Sequence, residues 1–226
     1  MRTSSPTVLG IDTSGPWCSV AVRRGDEALE HDHIPMPRGQ AEALLPCVDE
    51  MLRAQGLVPA DIDAIGVGVG PGNFTGIRIA VATARGLALG LQRPAFGVSG
   101  FEALVIAQGI DDELERLVTL PAPRAQSYAA ILKGRQPVGT PWMIGPAHAP
   151  DVPLPPGGVL GHRAAEIAAL SGARAIDAAP EQPALHVAQI AVLRWRADVP
   201  ESPPAPLYVR PADAAPPRSD PVLILP

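Results

Sequence analysis

Apolar and polar positions change period repeatedly along the first hundred residues, and each change marks an element. Val8-Leu9-Gly10-Ile11 is a continuous apolar run that breaks at Asp12-Thr13-Ser14-Gly15-Pro16, which predicts a buried strand entering a polar turn. Cys18, Val20 and Val22 then alternate with Ser19, Ala21 and Arg23, the pattern of a second strand. Arg24-Gly25-Asp26 reads as a hairpin turn and residues 27–34 as the return strand. From Gly39 to Gln55 the period lengthens. Ala41, Leu44, Leu45, Val48, Met51 and Leu52 fall at i, i+3, i+4, i+7 spacing, which predicts a helix stopped at Gly56, with Pro46 kinking it or marking a late start. Ile65–Val69 is a glycine-thinned strand, residues 70–76 a glycine-rich loop, and the chain beyond it a long helix to about Leu91. Ala95–Val98 is one more short strand. The order β-β-β-α-β-α-β predicts a mixed sheet with helices against it.

The second half is harder to read, because 20 of the 28 prolines lie beyond residue 100. Leu104 to Asp151 is expected to hold another helix and several short strands. Val159-Leu160-Gly161 reads as a strand leading into a helix over 162–170, and Ala184–Ala197 as a further helix with Val187, Ile190, Ala191 and Leu193 on one side. Residues 200–226 hold 9 prolines and are expected to be extended or irregular. No repeat of fixed period is present, and 226 residues fit one large or two small domains.

Composition narrows the functional classes. Lys+Arg 18 against Asp+Glu 23 leaves a net charge of −5, with Lys133 the single lysine. Phosphate neutralisation dominates nucleic-acid affinity, so this balance argues against a chain that grips RNA or DNA by itself, though a basic partner can still bring one. Aromatics are 4% of the chain while alanines number 36, so core and contact surfaces must be built from aliphatic and small side chains. Cys18 and Cys47 make neither a disulfide framework nor a zinc site, and a reducing cytosol is the simplest reading. The N-terminus lacks a secretory apolar run, and no stretch is expected to approach a membrane span.

Two segments are candidates for chemistry. Asp12, Thr13 and Ser14 at a strand end are placed to hold a metal-bound water or to donate to phosphate, but the same residues close ordinary turns. Gly70, Gly72 and Gly76 lie between a strand and a helix. Glycines there free backbone N–H groups to face an anion at a helix N-terminus, with Asn73 or Thr75 as cap; the alternative is a tight turn that lets the helix pack closely. The lysine that ends a P-loop is missing. In the helix that follows, Gly76, Ala80, Ala84 and Ala88 form one small-residue row and Ala82, Gly86 and Gly90 a second. Two stripped faces allow close approach by other backbones, one of them the sheet and the other a second helix or a partner chain. His31 and His33 share a strand face with no third ligand nearby, which reads as a solvated edge rather than a metal pair. Asp111, Asp112, Glu113 and Glu115 read as a solvated helix start. There is no paired-His helix motif and no Gly-x-Ser-x-Gly elbow.

Together, Val8-Leu9-Gly10-Ile11-Asp12-Thr13-Ser14, Gly70-Pro71-Gly72-Asn73-Phe74-Thr75-Gly76-Ile77-Arg78, Gly97-Val98-Ser99 and Pro206-Leu207-Tyr208-Val209-Arg210 resemble the TsaB (YeaZ) family. The Gly-Pro-Gly-x-Phe-Thr-Gly-x-Arg block is the most specific of these. The resemblance implies an α/β fold of the actin/Hsp70/sugar-kinase type with two RNase-H-like lobes of mixed sheet, here expected at 1–104 and 105–226. It also implies a subunit of the bacterial machinery that transfers a threonylcarbamoyl group to the adenosine beside the tRNA anticodon. In that machinery the family supports a TsaD-like catalytic subunit, alongside a TsaE-like ATPase, in the cytoplasm. It implies a homodimer when the subunit is alone, tRNA reached indirectly, and ATP and metal on the partner subunits rather than on this chain.

The expected partner face is Leu44, Leu45, Val48, Met51 and Leu52 with Gly76, Ala80, Ala84 and Ala88. Asp12, Thr13, Ser14, Gly70, Gly72, Thr75 and Gly76 are the expected remnant of a phosphate site, and no catalytic or metal residue is assigned. The sequence departs from the family at Pro121-Ala122-Pro123-Arg124-Ala125-Gln126-Ser127-Tyr128, where relatives tend to open the second lobe with Asp-Ala-Arg-x-x-Glu-Val-Tyr. Two other classes compete: an ATP-dependent phosphotransferase or ATPase built on Asp12, Thr13 and the glycine loop, and a glycoprotease-like peptidase, for which no nucleophile–base pair is visible.

Overall fold

The apolar run at the start of the chain is β1 (Thr7–Asp12), every residue of which is buried. It pairs antiparallel with β2 (Trp17–Arg24), which pairs in turn with β3 (Glu27–Pro35). On its other side it pairs parallel with β4 (Ala64–Gly68), and β4 with β5 (Ala95–Val98), giving the order β3-β2-β1-β4-β5. The computed structural model describes residues 5–146, 148, 150, 153–170, 172–198 and 202–209.

The second sheet repeats this plan. β6 (Glu115–Pro121), β7 (Ser127–Lys133) and β8 (Gln136–Ile144) form an antiparallel meander. β9 (Val159–Gly161) and β10 (Ala175–Asp177) add parallel strands on the far side of β6, in the order β10-β9-β6-β7-β8. Two RNase-H-like lobes in tandem make the actin/Hsp70/sugar-kinase arrangement that the sequence implied.

Helices α1 (Gln40–Ala54) and α2 (Phe74–Leu91) cover one face of the first sheet, where Leu44, Val48, Met51, Ile77, Val81 and Ala84 meet Leu9, Ile11, Val20 and Val67. Pro46 sits exposed within α1, so its ring does not enter the core. Asn73 caps α2, its Oδ1 accepting from the Thr75 and Gly76 amides. Helix α3 (Gly100–Ala107) opens with a reciprocal Ser99–Glu102 capping box, and short α4 (Ala164–Ala169) serves the second sheet.

The other face of the first sheet is covered by α5 (Pro183–Arg196), which comes from the far end of the chain. Gly10 and Gly66, register partners on β1 and β4, make this approach possible. A Cβ at Gly10 would lie 2.3 Å from the Ala184 carbonyl oxygen, and one at Gly66 2.9 Å from that of Val187. The glycines that thin these strands in the sequence therefore mark the seat of a helix. Arg194 fastens the arrangement, bonding the Gly97 carbonyl and Glu102 on α3.

Three expectations change here. Residues 105–226 are not one contiguous lobe: α3 packs against β6 and α5, and α5 completes the first lobe. The acidic run at 111–115 is a bend into β6 rather than a helix start, with Asp112 bonding Arg116 and the Leu114 amide. α2 does reach the length and apolarity of a membrane span, contrary to expectation, because Ile77, Ile79, Val81, Leu87, Leu89 and Leu91 raise its hydropathy; its inner side chains are seated on the sheet. Arg210 and residues 211–226 lie outside the described residues.

Candidate functional site

Asp12, Thr13 and Ser14 leave β1 at its carboxyl end, beside the loop that starts α2, and bind that loop and one another. Asp12 Oδ1 accepts from the Ser14 amide and hydroxyl, both at 2.9 Å, and from Trp17 Nε1 at 2.8 Å. Thr13, fully buried, donates to the Gly76 carbonyl at 2.6 Å. The Ser14 carbonyl accepts the Asn73 amide at 2.6 Å. Gly72 and Gly76 are glycines for the same reason: an added Cβ would lie 2.1 Å from the Ser14 oxygen and 1.9 Å from the Thr13 oxygen.

The loop therefore does not present an anion cradle. The amides of Asn73, Thr75 and Gly76 are spent on Ser14 and on the cap, where the sequence pattern expected N–H groups turned outward. Burial raises the Asp12 carboxyl above its ordinary range, against the lowering pull of its Trp17 and Ser14 bonds. Gly70 keeps a positive φ of 91° before a cis bond to Pro71.

Beside this knot lies a cleft of about 1140 Å³ between the lobes, walled by Trp17, Phe74, Leu104, Leu120 and Tyr128. The divergent segment 121–128 runs from the last residue of β6 through a tight turn at 122–126 into β7, with Arg124 and Ala125 at φ of 60° and 55° and Pro121, Ala122, Pro123 and Tyr128 on the cleft wall. His186 also lines the cleft, its Nδ1 buried without a partner and its pKa lowered chiefly by burial.

The two family motifs meet at the cleft mouth. Arg78 Nε donates to the Tyr208 hydroxyl at 2.9 Å, its guanidinium carbon sits 3.7 Å from the Phe74 ring centre, and the Phe74 and Tyr208 rings lie 4.8 Å apart. Neither the helical period nor the glycine spacing singles out these three residues or Trp17. The available signal was scarcity: two of the eight aromatic residues fall in two short motifs 134 positions apart.

The helix faces sort differently from the expectation. Leu44, Val48, Met51, Leu52, Gly76, Ala80 and Ala84 are all buried in the lobe's own core, because that row is the one facing the sheet. Of the expected partner face, Leu45 is exposed and Ala88 half-buried. The outward row is the second one, Ala82, Gly86 and Gly90, joined by Leu89 at 82% exposure.

Cys47 on α1 packs near the buried Cys18, whose thiol is pushed up to about 12, chiefly by burial. His31 and His33 lie on β3, the edge strand of the first sheet. Among the described residues no group of three or more His, Cys, Asp or Glu is placed to hold a metal ion.

Similar proteins agree with this layout. Residues 36–144 match the model of the family described as TsaD, tRNA N6-adenosine threonylcarbamoyltransferase. The chain is 40% identical over 102 residues, 45% of its length, to the tRNA threonylcarbamoyladenosine biosynthesis protein TsaB of Escherichia coli (strain K12), and the alignment spans 43% of that protein, under half of it. It is 35% identical over 218 residues to the uncharacterized protein Rv3421c of Mycobacterium tuberculosis (strain ATCC 25618 / H37Rv), covering 95% of this chain and 97% of that one. The solved structure of YeaZ from Pseudomonas aeruginosa superposes with a TM-score of 0.71 at 29% identity, over 90% of this chain and 99% of the other.

Proposed function

Since the chain belongs to the TsaB (YeaZ) family, we propose that it serves tRNA threonylcarbamoyladenosine biosynthesis as a non-catalytic subunit that binds and supports a TsaD-like catalytic protein. The observation that carries this reading is the fate of the Asp12-Thr13-Ser14 turn and the glycine loop. In a phosphotransferase of this fold those elements would hold phosphate; here their donors and acceptors close on each other. What the lobe leaves open instead is the row Ala82, Gly86 and Leu89 on α2 with Leu45 on α1. Small residues on an exposed helix let a partner helix come close, and the chain's many alanines suit that use. ATP and metal belong on the partner subunits, including a TsaE-like ATPase. With a net charge of −5 this chain meets tRNA only through its partners, in the cytoplasm, and self-associates through the same face when TsaD is absent.

Mixing the purified chain with its host's TsaD-like protein tests the reading. The expected result is a stable complex with tRNA-modifying activity, while calorimetry of this chain alone shows no micromolar ATP binding. Micromolar ATP affinity lost in Asp12→Ala would replace the scaffold with an enzyme.

A further inference from the structure

Residues 204–209 belong to no helix or sheet, yet they are closely seated. The Leu207 amide donates to the Val69 carbonyl at 2.8 Å, one residue past the end of β4. Pro204 is buried against Gly97, where an added Cβ would lie 3.4 Å from the proline Cβ. The Leu207 side chain packs against the cores of both lobes, and Val209 against that of the second. Tyr208 takes the Arg78 bond and stacks on Phe74. The segment thus lies at the carboxyl ends of parallel strands, where an open α/β sheet holds its ligand.

We propose that the interlobe cleft is a peptide-binding groove, loaded in cis by the chain's own Pro204–Val209 segment. Its ligand class is an extended apolar-aromatic peptide of the Pro-Leu-Tyr-Val kind. Each part of the seat reads one feature of such a peptide. The Val69 carbonyl takes a main-chain N–H. The two-lobe junction takes an aliphatic side chain, and the Phe74–Arg78 pair takes an aromatic ring with a hydroxyl. Prolines at 203, 204 and 206 preset the extended backbone and lower the ordering cost. The cleft continues past the segment along Trp17, Leu104, Leu120 and Tyr128, so a longer peptide finds further apolar wall.

Pro204 follows the end of α5 by eight positions. A tether that short holds the segment at an effective concentration on the order of 1 mM, so a peptide added in trans meets a filled groove.

The test is fluorescence polarisation of a labelled peptide, Pro-Pro-Ala-Pro-Leu-Tyr-Val, which is residues 203–209. It is titrated with the full chain and with the full chain carrying Leu207→Asp and Tyr208→Ala, after circular dichroism shows both folded. Tyr208→Ala alone replaces the double variant if the latter does not fold. The released chain is expected to bind the peptide at least tenfold more tightly than the parent, and adding Phe74→Ala with Arg78→Ala is expected to abolish binding. Equal affinity for parent and variant, or no binding by a folded variant up to about 1 mM, overturns the proposal. The readout uses neither tRNA nor a partner subunit, so it succeeds or fails independently of the proposed function.

Discussion

Arg78 and Tyr208 stand 130 positions apart in the chain, and Arg78 Nε donates to the Tyr208 hydroxyl at 2.9 Å. The bond fastens residues 204–209 to the start of α2 and keeps the guanidinium on the Phe74 ring. Tyr208→Phe removes the bond alone and is expected to cost about 0.5–1 kcal/mol, since the pair is exposed. Tyr208→Ala also removes the ring pair and is expected to cost roughly 0.5–1.5 kcal/mol more. Thermal melts should rank parent, Tyr208→Phe, then Tyr208→Ala; three identical melts would mean that the segment adds nothing to stability.

Asp12 imposes a pH dependence. Burial raises its folded-state pKa above the ordinary carboxylate value, so the native state binds this proton more tightly than the unfolded chain does. Stability is then unpenalised below the unfolded pKa of about 3.9 and falls as pH rises through the raised native value. Asp12→Asn keeps an oxygen for Ser14 and Trp17 but cannot titrate. In urea melts between pH 4 and pH 8 the stability of the parent minus that of the variant should fall as pH rises; parallel curves would contradict the assignment.

Ser127 sits fully buried at the start of β7 with its Oγ unpaired. A buried hydroxyl with no partner carries its desolvation penalty uncompensated. Ser127→Ala is therefore expected to stabilise the chain by about 1 kcal/mol, read as a higher melting temperature. A destabilised variant would point to a hydrogen bond that this geometry lacks.

Much of the first lobe was legible because its elements are local and periodic. The alternation from Cys18 to Arg23, the helical spacing from Ala41 to Leu52 and the Asn73 cap each appear in the structure close to where the sequence placed them. What could not be read is what depends on distant partners. Gly10 and Gly66 look like weak points in strands until α5, more than a hundred residues away, is laid across them. The two small-residue rows of α2 are equivalent as sequence, and only the sheet decides that Ala80 and Ala84 go inward while Ala82 and Gly86 go out. Asp12, Thr13 and the glycine loop carry the pattern of an anion site; only the bonds among them show that the pattern is spent on itself.

Glycines on the two sides of α2 should answer oppositely to the same change. At Gly76 an added Cβ would lie 1.9 Å from the Thr13 carbonyl oxygen, which is backbone and cannot step aside. Gly76→Ala is expected to destabilise by on the order of 1–3 kcal/mol or more. At Gly86 nothing lies within 4 Å, and the residue is in a helix interior, so Gly86→Ala is expected to stabilise by about 0.5–1 kcal/mol. Chemical denaturation of the two variants checks both signs; a shared sign would mean that α2 is seated otherwise.

The exposed row of α2 is where association should be won or lost. Ala82, Gly86 and the largely exposed Leu89 share that side, and Leu45 is the exposed leucine of α1. A stable contact needs to bury about 1,000 Å² in total, which four such residues cannot supply without the helix surfaces around them closing against a partner. Close approach depends on small side chains, so a tryptophan in the row should hold the helices apart. Ala82→Trp and Gly86→Trp are each expected to cost roughly 1–3 kcal/mol of association, about a 5- to 150-fold weakening of self-association or of binding to a TsaD-like protein. Both should fold, because both positions open to solvent and nothing lies within 4 Å of a Cβ at Gly86. Ala84→Trp is the contrasting case. Ala84 is fully buried against the first sheet, so its replacement should break the lobe rather than the interface. Circular dichroism and a melt separate these outcomes, and sedimentation or calorimetry then gives the affinity. If Ala82→Trp and Gly86→Trp chains melt like the parent and assemble with the parent's affinity, the contact lies on another face.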